Sequence, residues 1–260
     1  MEQIAFQIGG LAIHWYGVLV ATGFLAGLWT ASRRCEREGI PGETVVDLGP
    51  WLVLAAIAGS RLLHVVSYWR EEFADKPWWE IFMIHHGGLV FYGGLIGASL
   101  TTIFYVRAKQ LPLWKMGDVL APSISLGHVF GRLGCLMNGC CYGLPTNLPW
   151  TLHYPIDHPT RGMGVHPTQV YEAVANLGLY GLLAWQYRHK RFDGQVFALY
   201  LIGYAILRSI VELFRGDYAE RYLGGLATPA HLISAGLLVT GLWLWLRLSR
   251  PSAGTADATV

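Results

Sequence analysis

Charged residues are scarce in this chain: they make up 14% of its 260 residues, whereas 53% of the residues are hydrophobic. A soluble globular domain carries about 25% charged residues, so the composition argues against one. The formal net charge is only +2, and no nucleic-acid partner is expected. The composition therefore predicts a protein that lies in a lipid bilayer, which is its first expected partner.

Cysteine is also scarce, with four in the chain. Cys35 is expected at the opposite end of the helices from Cys135, Cys140 and Cys141, which excludes a secreted disulfide framework. The C-x4-C-C spacing is not a standard zinc spacing, so neither a metal nor an organic cofactor is expected. Two states stay open for the last three cysteines: free buried thiols, or a disulfide from Cys135 to Cys140 or Cys141.

A basic leader and a small-residue cleavage site are absent before the first apolar run, so the first helix is expected to be retained. Runs of about 20 apolar residues can span a bilayer. They occur near 11–31, 45–68, 88–106, 117–137, 168–187, 195–214 and 229–248. The chain is therefore predicted to be an all-α polytopic membrane protein with seven transmembrane helices, in a single domain over residues 1–250.

Basic residues gather in alternate connections between these helices. They are Arg33, Arg34, Arg37, Arg107, Lys109, Lys115, Arg188, Lys190, Arg191, Arg247 and Arg250. By the positive-inside rule these connections are cytoplasmic, which puts the N-terminus outside and the C-terminus in the cytoplasm. The external connections are then 69–87, 138–167 and 215–228, and the interfacial aromatics Trp78, Trp79, Trp150, Tyr154 and Tyr218 fall in them. The tail 251–260 is expected to be a disordered cytoplasmic segment.

Three arginines lie inside apolar stretches: Arg61, Arg132 and Arg208. An arginine at the centre of a membrane helix costs about 2.5 to 3.5 kcal/mol, so such residues usually face protein, water or an anionic ligand. Glu172, one turn inside the fifth helix, needs a cation if it is buried. Glu212 follows Arg208 by four residues, so these two side chains can also form a simple internal ion pair.

Glycine pairs are repeated six residues apart, at Gly87-Gly88 and Gly93-Gly94. Small residues let membrane helices approach closely, which is one interpretation of the pattern. The other is a loop that enters the third helix and holds phosphate with its backbone amides. The repetition of the pair favours the second interpretation slightly.

Five stretches in this order resemble the prolipoprotein diacylglyceryl transferase family, from His14 to about Leu248. They are His14-Trp15-Tyr16-Gly17, the glycine segment 87–97, Gly131-Arg132 through Asn138-Gly139, the segment 166–172 (HPTQVYE), and the segment 208–215 (RSIVELFR). The order, the spacing and the positions of these motifs in the predicted helices all agree with that family.

The resemblance implies transfer of a diacylglyceryl group from phosphatidylglycerol to the lipobox cysteine of a preprolipoprotein, with release of glycerol phosphate. It places the protein in a bacterial cytoplasmic membrane, with its active site toward the outer side. The catalytic residues expected from it are Arg132, Arg208, Tyr92 and Glu212. The residues expected to bind the phospholipid or the acceptor are Tyr16, Arg61, Gly93, Gly94, Asn138, Gly143, His166, Gln169, Glu172 and Tyr204.

The chain departs from the family pattern at three positions. Tyr92 stands where family members often have a histidine, so Tyr92 is expected to orient the lipid phosphate, and Glu212, His86 or the arginines to assist thiol deprotonation. Cys135 and Cys140 stand where the family commonly has asparagine and glutamate. A related transferase with another acceptor is therefore one alternative, and a lipid-binding or transport protein without chemistry is another, although no inverted repeat of the transporter type is found.

Overall fold

Seven α-helices of 18 to 26 residues make up most of the chain in the described residues. Their bounds are Trp15–Arg37 (α1), Glu43–Ser67 (α2), Phe91–Ala108 (α3), Leu113–Asn138 (α4), Thr168–Tyr187 (α5), Gln195–Glu212 (α6) and Pro229–Leu248 (α7). Four of them, α2, α4, α6 and α7, are long and apolar enough to cross a membrane. The structure is thus that of a mainly helical membrane protein.

This structure, a computed structural model, describes residues 3–84, 87–217 and 228–250. The predicted disordered tail, His86 and Tyr218 lie outside these residues. The chain divides into two compact units, Met1–Ala31 with Gly117–Val260 (unit 1) and Ser32–Met116 (unit 2), which are described separately below. The single domain expected over residues 1–250 stays a prediction.

The helices bury polar side chains and expose apolar ones, which is the reverse of a soluble protein. In α5, Glu172 and Asn176 are at most 1% exposed, whereas Val174 and Leu177 are 64% and 51% exposed. In α7, Leu232 is 67% exposed. Large exposed apolar surfaces of this kind mark contact with lipid or with another protein, and a bilayer satisfies them along the whole length of a helix.

A β-hairpin precedes the first helix, which was expected to begin near residue 11 and begins at Trp15 instead. Strand β1, Ile4–Ile8, pairs with β2, Leu11–His14, in antiparallel register. Gly9 and Gly10 form the two-residue turn, and Gly9 has a positive φ of 60°. Tight hairpin turns require this left-handed conformation, which glycine adopts without steric cost.

The segment 138–167, which was expected to be an external loop, contains a second small sheet. Strands β3, Leu152–His153, and β4, Gly164–Val165, are antiparallel. Within this segment Gly143 is bridged to Arg215, just beyond α6. A Cβ on Gly143 would lie 2.5 Å from the carbonyl oxygen of His166 and 2.9 Å from that of Phe214. Only glycine therefore allows the two backbone segments to approach it this closely.

Within unit 1, Asp118 of α4 caps the N-terminus of α6. Its carboxylate accepts hydrogen bonds from the backbone N–H groups of Gly194 (2.8 Å), Val196 (2.9 Å) and Phe197 (3.0 Å). The first amides of a helix have no partner inside the helix and carry its positive dipole end. The buried carboxylate is therefore stabilised by α6, and it ties α6 to α4.

Within unit 2, the second glycine pair lies in the contact between α3 and α2. A Cβ on Gly93 would overlap the carbonyl oxygen of Gly59, and a Cβ on Gly94 would lie 2.5 Å from the Ser60 hydroxyl. The amides of Gly93 and Gly94 donate to the Val90 carbonyl, at 3.1 and 3.4 Å. These contacts favour helix packing over phosphate binding by the Gly93 and Gly94 amides, so their role in lipid binding stays a prediction.

Replacing Gly93 with alanine is expected to destabilise the protein by about 1 to 3 kcal/mol, because the added methyl group must push α3 away from α2. Gly236→Ala in α7 is the matched control, because a Cβ there meets no atom within 4 Å and alanine favours a helix over glycine. Thermal unfolding of both variants in detergent measures the difference. Equal unfolding temperatures for the two variants would contradict the packing role.

Candidate functional site

Glu172 lies at the centre of a buried group of charges in unit 1. Its Oε1 is 3.0 Å from Nη2 of Arg132 on α4, and its Oε2 is 3.5 Å from Nη1 of Arg208 on α6. The Glu172 side chain is 1% exposed, and those of Arg132 and Arg208 are 15% and 9% exposed. A buried glutamate was expected to need one cation, and Glu172 has two. Its carboxylate contacts the guanidinium groups of both arginines.

The group continues to Glu212, whose Oε2 is 2.5 Å from Nη2 of Arg208. The other oxygen of Glu212 accepts a hydrogen bond of 2.7 Å from the hydroxyl of Thr228, which caps α7. We call the four residues Arg132, Glu172, Arg208 and Glu212 the buried ionic chain. With all four ionised its net charge is zero, which reduces the cost of burying it.

The helices α4, α5 and α6 each hold residues of the buried ionic chain. Arg208 and Glu212 are one turn apart, so they lie on the same face of α6. Tyr204, one turn earlier, stacks on His128 of α4 with 5.0 Å between ring centroids. On α5, Asn176 donates to the Glu172 carbonyl at 2.9 Å. The ring contact joins α6 to α4, whereas the Asn176 hydrogen bond lies within α5.

The turn after α4 is held by the first turn of α5. Gln169 donates to the carbonyl of Cys140 at 2.6 Å and to the Tyr154 hydroxyl at 2.8 Å, and Thr168 donates to the carbonyl of Cys141 at 2.6 Å. Both donors are about 1% exposed. Burial raises the pKa of Tyr154 to about 12, and the bond from Gln169 opposes this only partly, so Tyr154 is a neutral phenol here.

Arg132 connects this turn to the ionic chain. Its Nη1 lies 3.4 Å from the sulfur of Cys141, while its Nη2 contacts Glu172. Hydrogen bonds from the thiols of Cys135 and Cys140 lower the pKa of Cys141, and the charges of Arg215 and Arg132 lower it further. All four cysteines of the chain are free, so the disulfide considered from the sequence is not found.

Other predicted site residues of unit 1 lie around this turn. The ring of Tyr16 packs against Gly134 of α4. Asn138 is the last residue of α4, and its carbonyl accepts a hydrogen bond from Gln3 at 3.3 Å. His166 lies 3.3 Å from the Tyr171 hydroxyl through its Nδ1. The contact of these residues with a substrate stays a prediction.

Two predicted site residues of unit 2 have different surroundings. The guanidinium group of Arg61 donates to the backbone carbonyls of Glu80 and Ile81, both at 2.7 Å, and of Gly87 at 2.8 Å. Arg61 therefore braces the connection between α2 and α3, which accounts for its burial without a ligand. Tyr92 lies in the first turn of α3 and is 44% exposed.

Thr228 and Thr168 were not predicted from the sequence, although both belong to the site. For Thr228 a signal was present: threonine followed by Pro229 before an apolar run is typical of a helix N-cap. Its bond to Glu212 could not be read from that signal, because it joins residues 16 positions apart. Thr168 gives no comparable signal.

Fold and site together define a helical membrane protein whose buried arginines share a carboxylate. A sequence model of the family described as prolipoprotein diacylglyceryl transferase matches residues 3–247. The chain belongs to this family.

Curated relatives named phosphatidylglycerol–prolipoprotein diacylglyceryl transferase are similar over nearly the whole chain. The protein from Finegoldia magna is 36% identical over 96% of this chain and 97% of its own length. Those from Synechococcus elongatus and Bacillus cereus are 37% and 38% identical, over 94% and 93% of this chain and 88% and 90% of their own lengths.

Proposed function

We propose that this protein transfers the diacylglyceryl group of phosphatidylglycerol to the lipobox cysteine of preprolipoproteins, the first step of bacterial lipoprotein maturation. The observation that carries the proposal is the shared carboxylate of Glu172, which presents Arg132 and Arg208 together at a buried site. Family membership and the names of the relatives support the same reaction. Its partners are then phosphatidylglycerol, lipobox signal peptides and the bilayer.

The charges of the site suit this reaction. The acceptor sulfur attacks the terminal carbon of the diacylglyceryl group, the C–S bond forms, and the C–O bond to phosphate breaks. The electron pair leaves with glycerol phosphate, whose negative charge increases as a diester becomes a monoester. Guanidinium groups donate strong, paired hydrogen bonds to phosphate oxygens, and donors fixed before the reaction stabilise developing charge most effectively. Arg132 and Arg208 take this role.

A transfer assay with the purified protein in detergent tests the function. Phosphatidylglycerol and a lipobox peptide are supplied, and peptide mass and glycerol phosphate are measured together. We expect one diacylglyceryl group on the peptide for each glycerol phosphate released, and no gain on a peptide with serine in place of cysteine. Glycerol phosphate without peptide modification would indicate a hydrolase, and no product of either kind from folded protein would contradict the proposal.

Tyr92→Phe is expected to reduce transfer about tenfold, which corresponds to the loss of one hydrogen bond of about 1.4 kcal/mol to the lipid phosphate. Tyr105→Phe removes a hydroxyl from the other end of the same helix and serves as the control. Initial rates at saturating peptide measure the effect. If both variants retain the wild-type rate, Tyr92 has no part in the reaction.

The proposed topology has all seven helices crossing a bacterial cytoplasmic membrane, with the N-terminus outside and the C-terminus in the cytoplasm. The shortest helices, α3 and α6, have 18 residues each and are about 27 Å long at 1.5 Å per residue, close to the hydrocarbon thickness. The distribution of basic residues supports the orientation. The Arg132 and Glu172 ends of α4 and α5 then lie toward the outer side, where the acceptor peptides emerge.

A further inference from the structure

Three thiols lie together next to the buried ionic chain. Cys135 is in the last turn of α4, and Cys140 and Cys141 follow in the turn after it. Their sulfur atoms lie within 4.8 Å of one another. All three are free and partly accessible. We call them the thiol cluster. The ion pairs of the buried ionic chain do not depend on it.

The fold fixes the positions of these thiols. The amide of Cys140 donates to the Cys135 carbonyl at 3.1 Å, and Cys141 has a φ of +62°. A side chain in this left-handed region costs free energy unless the surroundings hold it there. The buried Thr168 and Gln169 do so through the carbonyls of Cys141 and Cys140. The three sulfur atoms lie close together because these hydrogen bonds fix the backbone of the turn.

The spacing of the sulfur atoms suits one ion. Zn²⁺ binds thiolates at about 2.3 Å in tetrahedral geometry, which separates neighbouring sulfur atoms by about 3.8 Å. The observed limit of 4.8 Å allows this with small rotations of the side chains. Three thiolates around Zn²⁺ carry a net charge of −1, and the guanidinium group of Arg132, 3.4 Å from the sulfur of Cys141, is a cation next to that charge, although Glu172 also contacts it.

We propose that Cys135, Cys140 and Cys141 bind Zn²⁺ and that the acceptor cysteine of the peptide becomes its fourth ligand. The second part of this proposal rests on the proposed function. Zinc sites with three protein ligands keep an open position for substrate. A thiol that coordinates a metal loses its proton outright, whereas a free thiol with a pKa near 8.5 is mostly protonated at neutral pH. The ion would thus convert the acceptor thiol into the thiolate, which is the nucleophile that transfer requires.

The reaction step balances without a redox partner. The acceptor thiol binds Zn²⁺ as a thiolate and gives its proton to water. Its sulfur then forms the C–S bond as the C–O bond of the lipid breaks, and the electron pair departs with glycerol phosphate. The product thioether is neutral and a weaker ligand, so it leaves the ion. Because Arg132 contacts both Cys141 and Glu172, the same side chain links the nucleophile site to the phosphate site.

Metal analysis of the full-length protein in detergent tests the site. We expect one Zn²⁺ per chain in the wild type and loss of the ion in Cys135→Ser, Cys140→Ser and Cys141→Ser. Cys35→Ala, which changes the buried cysteine of unit 2, is the matched control and should keep it. Chelator-stripped wild type should regain one equivalent of Zn²⁺, a result that does not depend on whether the serine variants fold.

Substitution with Co²⁺ tests the fourth position independently of catalysis. Cobalt–thiolate absorption should appear in the wild type, and a lipobox peptide should shift it, whereas the serine peptide should not. A peptide-induced shift of the absorption without any transfer would support the metal site and contradict the proposed function. Absence of metal uptake, or a disulfide between two of the three cysteines in non-reducing mass spectrometry, would overturn the site. Metal uptake with a spectrum that the peptide leaves unchanged would overturn coordination of the acceptor.

Discussion

Replacing Arg208 with glutamine is expected to reduce diacylglyceryl transfer about a thousandfold, because the change removes a preorganised donor from the phosphate site. It is also expected to destabilise the protein by about 3 to 5 kcal/mol. The reason is that Glu212, whose side chain is fully buried, loses the cation 2.5 Å from its carboxylate. Transfer rates and thermal unfolding in detergent measure the two effects separately.

The double variant Arg208→Gln with Glu212→Gln separates the structural effect from the chemical one. Removing both charges should restore most of the stability, since no unpaired charge stays buried, while transfer stays low. Arg188→Gln, at an exposed position after α5, is the control and should behave as wild type. If the double variant regained both stability and transfer, Arg208 would be a structural residue only.

Replacing Glu172 with glutamine is expected to lower kcat about a hundredfold and to lower the KM for phosphatidylglycerol. Glu172 is a positioning residue: its carboxylate holds Arg132 and Arg208 at 3.0 and 3.5 Å. Without it, the two guanidinium groups bind the anionic lipid more tightly in the ground state, but they are no longer held where charge develops. Steady-state kinetics over a range of lipid concentrations measure both constants.

The direction of the change in KM is the decisive readout. A variant that is only partly folded would show a lower kcat with an unchanged KM, because fewer molecules are active. Glu71→Gln removes an exposed carboxylate and should change neither constant. A KM for phosphatidylglycerol that rises in Glu172→Gln would mean that the carboxylate takes part in binding the lipid.

The helices could be predicted because each has its own apolar run, and α5 and α7 have the predicted bounds, residues 168–187 and 229–248. The N-terminal hairpin was not predicted, although Gly9-Gly10 between alternating residues is a hairpin signal. The apolar residues 11–14 belong equally well to a strand or to the start of a helix. Because they are continuous with an apolar run of membrane length, the sequence predicts them as part of the helix.

Contacts in the site could be predicted only where both residues lie on the same helix. Arg208 and Glu212 are one turn apart, so their contact follows from the sequence. The contact of Glu172 with Arg132 joins α5 to α4, and no local pattern encodes it. The sequence placed the three cysteines together but did not predict a zinc site, because standard zinc spacings describe short loops, whereas Cys135 lies in the last turn of a helix and Cys141 follows in a left-handed conformation.

A structure with a lipid analogue tests the phosphate site most directly. The analogue is a phosphatidylglycerol in which a methylene group replaces the oxygen between the diacylglyceryl carbon and phosphorus, so that transfer cannot occur. We expect its phosphonate oxygens within about 3 Å of nitrogen atoms of both Arg132 and Arg208, with Glu172 still between the two guanidinium groups. A phosphonate bound away from both arginines would contradict their role in holding the phosphate.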